Sequence, residues 1–234
     1  MWNMAASSSV IDNKEQKLLR LEKTEGTQLT RRMYNVVIGA VLVFGLALNA
    51  AMAVFLPAAA FEIMATHPWA VLIGFLALSF GSIFVIYRFD NPAISFLGFV
   101  VLSFAFGYLV AATVQSYTGT TVTRAFMLTA AITVGMMALA SLFPQVFARM
   151  GTALLVALAV TLVAEIVTLF IMGTDSVAFD YIFVIVFSLY IGYDWQKAQA
   201  YPPTLDNAVD SAADIYVDVV NLFIRLLAIL GRRN

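Results

Sequence analysis

The sequence predicts an all-α integral membrane protein that crosses the bilayer seven times. Hydrophobic residues make up 62% of the chain and charged residues 12%, whereas an ordinary soluble domain carries about 25% charged residues. The apolar residues gather in segments of about 20, the length that a helix needs to cross a bilayer. Because these segments use almost all of the 234 residues, no separate soluble domain is expected.

Short polar or proline-containing segments separate the seven predicted spans. Pro57 ends the first span and Pro144 the fourth, because proline disrupts a helix interior. Pro202 and Pro203 break the connection between the last two spans. The predicted spans are residues 33–56, 69–87, 93–114, 124–143, 151–172, 177–193 and 212–230.

The charge pattern predicts a cytoplasmic N-terminus. Residues 1–32 are expected to form a polar tail with six lysines and arginines, and residues 33–234 the transmembrane domain. The short loops on the tail's side of the membrane add three basic residues, Arg88, Arg149 and Lys197. The loops on the other side hold Arg124 alone. Because lysine and arginine concentrate in cytoplasmic loops, the tail is expected inside.

The same rule disfavours the expected position of the C-terminus. With seven spans, Arg232 and Arg233 lie on the outer side. A last helix that re-enters the membrane, or crosses it incompletely, would remove this conflict. The sequence leaves both topologies open.

Composition excludes several kinds of site. The chain has no cysteine, which excludes disulfides, thiolate metal sites and cysteine catalysis, and its single histidine excludes a multi-histidine metal site. No basic patch indicates nucleic-acid binding. The last predicted span has no lysine for a Schiff base, which excludes a retinal protein. No bound cofactor is therefore expected.

Two aspartates mark the last two predicted spans. Asp194 ends the apolar stretch IVFSLYIGYD, and Asp218 lies inside an apolar helix between Val217 and Val219. An aspartate in a membrane helix is costly unless it faces the bundle interior or a wet cavity. Asp218 therefore indicates function, whereas Asp194 has a competing interpretation as a helix-end residue in headgroup water. With the predicted orientation, both lie near the cytoplasmic end of the bundle.

Asp218 belongs to a line of polar residues along the last predicted span, here called the polar seam. Its members follow one another at steps of four, four, three and four residues, which places them on one face of a helix. They are Asp210, Asp214, Asp218, Asn221 and Arg225. A polar seam inside an apolar helix favours a functional role for that face.

A pair of aspartates has two chemical uses in such a place. Two carboxylates that share a partly dry site cannot both ionise easily, so Asp194 and Asp218 are expected to titrate as one unit and to sense protons. Their oxygens also suit a hard cation such as Ca²⁺, and so few ligands bind it weakly, as conduction requires. Asp194 and Asp218 are therefore the predicted pH sensor, ion path and metal ligands.

Glu165 and Arg225 form a second candidate pair. Each lies about 21 Å from the cytoplasmic start of its predicted span, so the two side chains are expected at similar depth. Buried charges are commonly paired. This favours a structural ion pair between spans five and seven over a role in transport.

The last two predicted spans, IVFSLYIGYD followed by IYVDVVNLFIRLLAILG, resemble the closing helices of the transmembrane Bax inhibitor motif family, especially its bacterial members. The span count, the polar tail and the short loops agree with this family from about residue 30 onward. The resemblance implies a seven-helix bundle with helix seven at its centre. It also implies a pH-sensitive calcium leak in which Asp194 and Asp218 are a di-aspartyl sensor and Arg88, at the end of span two, is a latch on that pair.

The chain departs from the family pattern at two places. The family commonly carries an arginine where this chain has Ala228, and here an arginine, Arg225, lies one turn earlier. An acid such as Glu165 in span five is not part of the pattern either.

The leading functional hypothesis is a passive, proton-gated leak for Ca²⁺ in a bacterial cytoplasmic (inner) membrane, without enzymatic activity. A non-conducting membrane protein that modulates a membrane protease or a stress response is the alternative, and the resemblance permits it as well. An intramembrane aspartyl protease is a minor alternative, because Asp218 lacks the GxGD motif of such enzymes. The expected partners are the lipid bilayer, Ca²⁺ and protons. The oligomeric state stays open, and a monomer is compatible with the sequence.

Overall fold

The computed structural model describes residues 27–57, 59–173 and 176–232, which fold into α-helices joined by short connections. These ranges contain nine helices, numbered here from α1 to α9 along the chain. Their bounds are α1 Arg31–Phe55, α2 Ala59–Thr66, α3 Pro68–Arg88, α4 Pro92–Val114, α5 Gly119–Leu142, α6 Pro144–Ala148, α7 Gly151–Met172, α8 Val177–Ala200 and α9 Leu205–Gly231.

Six of these helices, α1, α3, α4, α5, α7 and α8, are long and apolar enough to cross a membrane. Their outward faces carry large apolar side chains, as at Phe170 of α7, which is 80% exposed. A continuous apolar surface of this kind is suited to contact with lipid. The chain is therefore a multi-pass membrane protein that is helical throughout most of its described part.

The seventh predicted span corresponds to α9, which is long enough but too polar to belong to that group. It carries four aspartates and one arginine in 27 residues. At about 1.5 Å per residue its length is about 40 Å. It packs against α1, α4, α5 and α8, and 17 of its residues are buried. Contacts with four other helices therefore fix the positions of its polar side chains.

The structure corrects the predicted ends of three spans. α5 begins at Gly119 instead of residue 124, because Thr118 caps it by accepting a hydrogen bond from the backbone N–H of Thr121. α8 continues to Ala200 instead of ending at residue 193, and α9 begins at Leu205 instead of residue 212. The short helices α2 and α6 were not predicted. In the case of α6, the helix begins at Pro144, which was expected only to end a span.

Local sequence explains the longer α8 and α9. The stretch WQKAQA after Asp194 consists largely of residues that favour helices, and the helix stops just before Pro202. Thr204 then caps α9, its hydroxyl accepting a hydrogen bond from the backbone N–H of Asn207 at 3.1 Å. Asp194 and Lys197 consequently lie inside α8, so the interpretation of Asp194 as a helix-end residue is wrong.

α1, α4 and α9 meet around the buried side chain of Tyr216. Its ring lies edge-on to Phe99, with the ring centroids 5.3 Å apart, and to Phe106 at 6.0 Å. Its hydroxyl hydrogen-bonds the side-chain amide of Asn49 in α1. This joint holds one face of α9 against α1 and α4, while the polar seam lies on the opposite face.

The segment before α1 is tied to the connection between α8 and α9. Gln28 and Thr204 form an isolated antiparallel bridge. In the first turn of α1, the hydroxyl of Tyr34 donates a hydrogen bond to the carbonyl of Ala198 at 3.1 Å. Residues 1–26 of the predicted tail lie outside the described residues.

Candidate functional site

Asp194 of α8 and Asp218 of α9 lie near each other, close enough for their carboxyl groups to interact electrostatically. Asp218 is 6% exposed, and no donor among the described residues reaches its Oδ2 atom. The side chain of Tyr190, one turn before Asp194 in α8, lies near both carboxyl groups. A direct hydrogen bond between two carboxyl groups requires a proton on one of them. Antiparallel packing of α8 against α9 thus brings together the two aspartates whose pairing the sequence predicts.

A lysine bridges the carboxylates at this end of the bundle. The Nζ atom of Lys197 lies 3.6 Å from Asp194 and 3.4 Å from Asp214. Asp214 also accepts a hydrogen bond from the hydroxyl of Tyr87 at the end of α3. Side chains from α3, α8 and α9 therefore meet in one network, here called the carboxylate cluster. Its members are Tyr87, Asp194, Lys197, Asp214 and Asp218.

Arg88, the predicted latch, does not join this cluster. Its side chain is exposed, and its guanidinium carbon lies 6.0 Å from the ring centroid of Phe89. Within the described residues it makes no ion pair with Asp194 or Asp218, and the cation beside them is Lys197. The spacing of Lys197, three residues after Asp194, is a pairing signal in a helix. This signal was missed because the predicted span ended at residue 193, before both Asp194 and Lys197.

The five residues of the polar seam lie in one helix, α9, but their side chains contact different groups. Asp210 is fully buried near the start of α9, where the neighbouring Asp206 accepts a hydrogen bond from Ser95 at 2.7 Å. Asp214 and Asp218 belong to the carboxylate cluster. The side-chain amide of Asn221 donates back to the carbonyl one turn earlier at 2.8 Å.

Partial exposure distinguishes this face of α9 from the opposite one. Asp214, Asn221 and Arg225 are half-buried. The opposite face packs fully into the bundle through Ala212, Ile215, Tyr216, Val219 and Leu222. The seam is therefore half-buried at Asp214, Asn221 and Arg225 but buried at Asp210 and Asp218.

Arg225 is the centre of a second ionic network, here called the arginine cluster. Its Nη1 and Nη2 atoms donate to the two carboxylate oxygens of Glu165 in α7, at 2.5 and 3.0 Å. Nη1 also donates to Oδ1 of Asp180 at 3.0 Å. The guanidinium group lies over the ring of Phe183, 4.0 Å from its centroid. Arg232 completes the network at 3.4 Å from Oδ2 of Asp180.

The sequence predicts the pair of Glu165 and Arg225 but not the contacts of Asp180 and Arg232. Asp180 lies in the first turn of α8, where an acidic residue is ordinary because it complements the helix dipole. That common role gave no reason to assign it a partner on another helix. The structure adds it to the cluster as a second carboxylate for Arg225.

The two clusters lie at opposite ends of the bundle. Asp180 and Asp194 are about 21 Å apart along α8, and Asp214 and Arg225 about 16 Å apart along α9. Neither cluster is a preformed metal centre of three or more acidic, histidine or cysteine ligands, as far as the described residues extend. Binding of Ca²⁺ by Asp194 and Asp218 therefore stays a prediction.

Related proteins occur in bacteria and in yeast. An uncharacterized protein of Helicobacter pylori is 27% identical over 183 residues, which cover 73% of this chain and 74% of that protein. A membrane protein of Streptococcus pyogenes serotype M6 is 32% identical over 143 residues, or 58% of this chain and 62% of that protein. Bax inhibitor 1 of Schizosaccharomyces pombe is 27% identical over 171 residues, or 70% of this chain and 62% of that protein.

A match to a family model extends over the whole described structure. The family described as "Inhibitor of apoptosis-promoting Bax1" matches residues 26–234. This range contains all six apolar spans, α9 and both ionic clusters. The chain therefore belongs to the Bax inhibitor family.

Proposed function

We propose that this protein is a pH-sensitive leak channel for cations, above all Ca²⁺, gated by Asp194 and Asp218. The observation that carries the proposal is the proximity of these two carboxyl groups on adjacent helices. Two carboxyl groups this close share a proton when the pair is protonated and repel each other when both are ionised. The preferred separation of α8 and α9 at this point therefore depends on pH.

The proposal includes a seventh membrane crossing by α9, at the centre of the bundle. α9 runs antiparallel to α8 along its whole length: a short connection joins them at one end, and Arg232 reaches Asp180 at the other. Since α8 is long and apolar enough to cross the membrane, a partner that matches it from end to end crosses as well. Burial among four other helices supports a central position.

The proposed orientation follows from the basic residues. A cytoplasmic N-terminus, in the cytoplasmic membrane of a bacterium, places the carboxylate cluster at the cytoplasmic end and the arginine cluster at the outer end. The polar seam of α9 then extends from one cluster to the other. Two carboxylates with few other ligands would hold a hard cation only weakly, which suits passage better than storage.

Calcium flux into proteoliposomes across a pH series tests this function. We expect the parent protein to show pH-dependent flux, and Asp194→Asn or Asp218→Asn to abolish the pH dependence, because either change removes one member of the coupled pair. The double substitution is expected to have no further effect. Asp90→Asn is the matched control, since Asp90 is an exposed aspartate in the turn after α3.

The opposite result would replace the channel with the alternative function. If parent and variants are equally silent, or equally leaky at every pH, the aspartates have a structural role. The protein would then be better explained as a non-conducting membrane protein that modulates a membrane protease or a stress response.

Lys197 gives a second test of the same site. Lys197→Gln removes the cation that lies between Asp194 and Asp214. Carboxylates without this positive neighbour hold their protons to higher pH, so the pH midpoint of flux is expected to rise by about one unit. Lys197→Arg keeps the charge and should leave the midpoint nearly unchanged. An unchanged midpoint in Lys197→Gln would show that the lysine does not act on the sensor.

A further inference from the structure

We propose that residues 27–35, here called the N-terminal clip, hold α8 and α9 together beside the carboxylate cluster and must loosen before these helices separate there. The clip consists of the segment before α1 and the first residues of that helix. The proposal deepens the leak function and rests on it, because this separation is the movement that the leak function assigns to protonation of Asp194 and Asp218. Attachment of the clip is measurable without any conduction.

The backbone of the clip pairs with the connection between α8 and α9 in both directions. The N–H of Leu29 donates to the carbonyl of Pro203 at 2.8 Å, and the N–H of Leu205 donates to the carbonyl of Thr27 at 3.1 Å. The side chain of Leu29 packs against the hydrophobic core. The end of α8 and the start of α9 are therefore attached to the same short segment.

Side chains of the clip extend this attachment to both helices. The fully buried hydroxyl of Tyr34 donates to the carbonyl of Ala198 in α8 and lies 3.1 Å from the hydroxyl of Ser211 in α9. The guanidinium group of Arg31 donates to the carbonyl of Tyr201, the residue after α8, at 2.7 Å. One tyrosine side chain of α1 thus contacts both α8 and α9.

These contacts lie close to the carboxylate cluster. Ala198 follows Lys197 and lies one turn beyond Asp194 in α8. Ser211 lies three residues before Asp214 in α9. Because one turn of a helix moves as a unit with the next, movement of α8 away from α9 at the cluster pulls on the hydrogen bonds of the clip.

The clip is also the principal link between α1 and α8. α1 packs against α4 and α9 but makes few contacts with α8. The side-chain amide of Gln199 donates to Asn35 in the clip at 3.0 Å, in addition to the contact of Tyr34 with Ala198. Since these links are single hydrogen bonds, they can break while the packing of α1 against α4 and α9 persists.

The clip acts on the aspartate pair through position and not through charge. In the described part of the chain, the titratable side chains around the pair belong to α3, α8 and α9. They are Tyr87, Tyr190, Lys197 and Asp214. The two arginines of the clip, Arg31 and Arg32, are not among these neighbours. A change in the clip therefore affects the pair through the distance between α8 and α9.

A disulfide tests the clip directly, because the chain has no cysteine of its own. Gln28 and Thr204 are opposite each other between the two backbone hydrogen bonds of the clip. The Cα atoms of such a pair are about 4.5 Å apart, a distance that a disulfide accepts. We expect Gln28→Cys with Thr204→Cys to cross-link on oxidation.

The cross-link should suppress the pH response of the leak, since α8 and α9 then stay attached at every pH. Calcium flux into proteoliposomes is measured at both ends of the pH series, before and after oxidation. We expect oxidation to lower the ratio of the two fluxes about tenfold and dithiothreitol to restore it. The two single-cysteine variants, Gln28→Cys and Thr204→Cys, control for oxidation itself and should not respond.

Thiol labelling measures attachment of the clip without flux. Ala198→Cys places a single thiol at a fully buried position whose carbonyl binds Tyr34. In detergent micelles a charged methanethiosulfonate reagent should modify this thiol slowly, and Tyr34→Phe or Arg31→Gln should accelerate modification about tenfold. Arg32→Gln is the matched control, because it removes the same charge at the neighbouring exposed arginine and should leave the rate unchanged.

Three results would overturn the clip: failure of the cysteine pair to cross-link, full pH dependence of flux in the cross-linked protein, and unchanged labelling in both clip variants. Failure of the leak function gives a different pattern. Faster labelling in the clip variants of a protein that conducts no calcium supports the restraint on α8 and rejects the leak. pH-dependent flux with unchanged labelling rejects the clip and supports the leak.

Discussion

Gly45→Val is expected to lower the free energy of unfolding by about 3 kcal/mol, because the added side chain has no space between α1, α4 and α9. A Cβ atom at this position would lie 2.6 Å from Cζ of Phe99 and 3.0 Å from both Ser103 and Tyr216. All three neighbours are buried, and the two rings pack edge-on against each other. None can move aside without disturbing the joint that holds α9. Thermal unfolding in detergent micelles measures the loss.

Gly39→Val is the matched control for this experiment. It makes the same substitution in the same helix, where a Cβ atom would meet nothing within 4 Å. The cost of placing valine instead of glycine in a helix is therefore common to both variants, and the difference between them reports packing alone. Equal melting temperatures would contradict the close approach of α1 to α4 and α9. Such close approaches at small residues are a usual source of stability for membrane helices.

The apolar spans could be predicted because each one is a continuous hydrophobic run bounded by polar residues or proline. The span at 151–172 has the same bounds as α7. The predicted bounds were wrong where a helix continues beyond its apolar run. The polar stretch after Asp194 leaves the apolar run but stays helical, because helix propensity and proline positions decide the backbone there. Hydropathy alone therefore ended α8 too early.

The pair Asp194 and Asp218 could be predicted because buried aspartates are rare in membrane helices and the two helices are consecutive. Their cationic neighbour could not be identified from the same reasoning. Arg88 and Lys197 both follow apolar runs, and only the packing of α3, α8 and α9 shows that Lys197 reaches the carboxylates. Tyr87, adjacent to Arg88, makes the contact from α3 instead. Which of two neighbouring side chains reaches the carboxylates depends on the rotation of the helix about its axis, and the sequence does not specify this rotation.

The two departures from the family pattern coincide in one contact. The resemblance drawn from the sequence implies an arginine at the position of Ala228, one turn after Arg225, and no acid at the position of Glu165. In the structure these two side chains form the bidentate pair of the arginine cluster. At its position in this chain, the arginine of α9 contacts a carboxylate on α7. We therefore expect bundle stability to depend on both side chains being present together.

Arg225→Met is accordingly expected to lower the free energy of unfolding by about 3 kcal/mol, more than Glu165→Gln. Removal of the cation leaves the carboxylate of Glu165 in an apolar setting without its bidentate partner. The carboxylates of Glu165 and Asp180 then no longer have the guanidinium group of Arg225 between them. Glu165→Gln is milder because Arg225 keeps Asp180. Arg225→Lys should fall between the parent and Arg225→Met, since a lysine cannot reproduce the two-pronged contact. Unfolding by a denaturing detergent in mixed micelles measures all three.

The double variant Glu165→Gln with Arg225→Met decides how much of this loss belongs to the pair. Once the arginine is absent, neutralising Glu165 removes an unfavourable charge, so the double variant should be less destabilised than the sum of the single variants. Arg124→Met, at an exposed arginine of α5, controls for the loss of a surface charge and should have little effect. Strict additivity would mean that Glu165 and Arg225 do not stabilise each other. The bidentate geometry would then be a consequence of helix packing, and α7 would need another cause for its position beside α8.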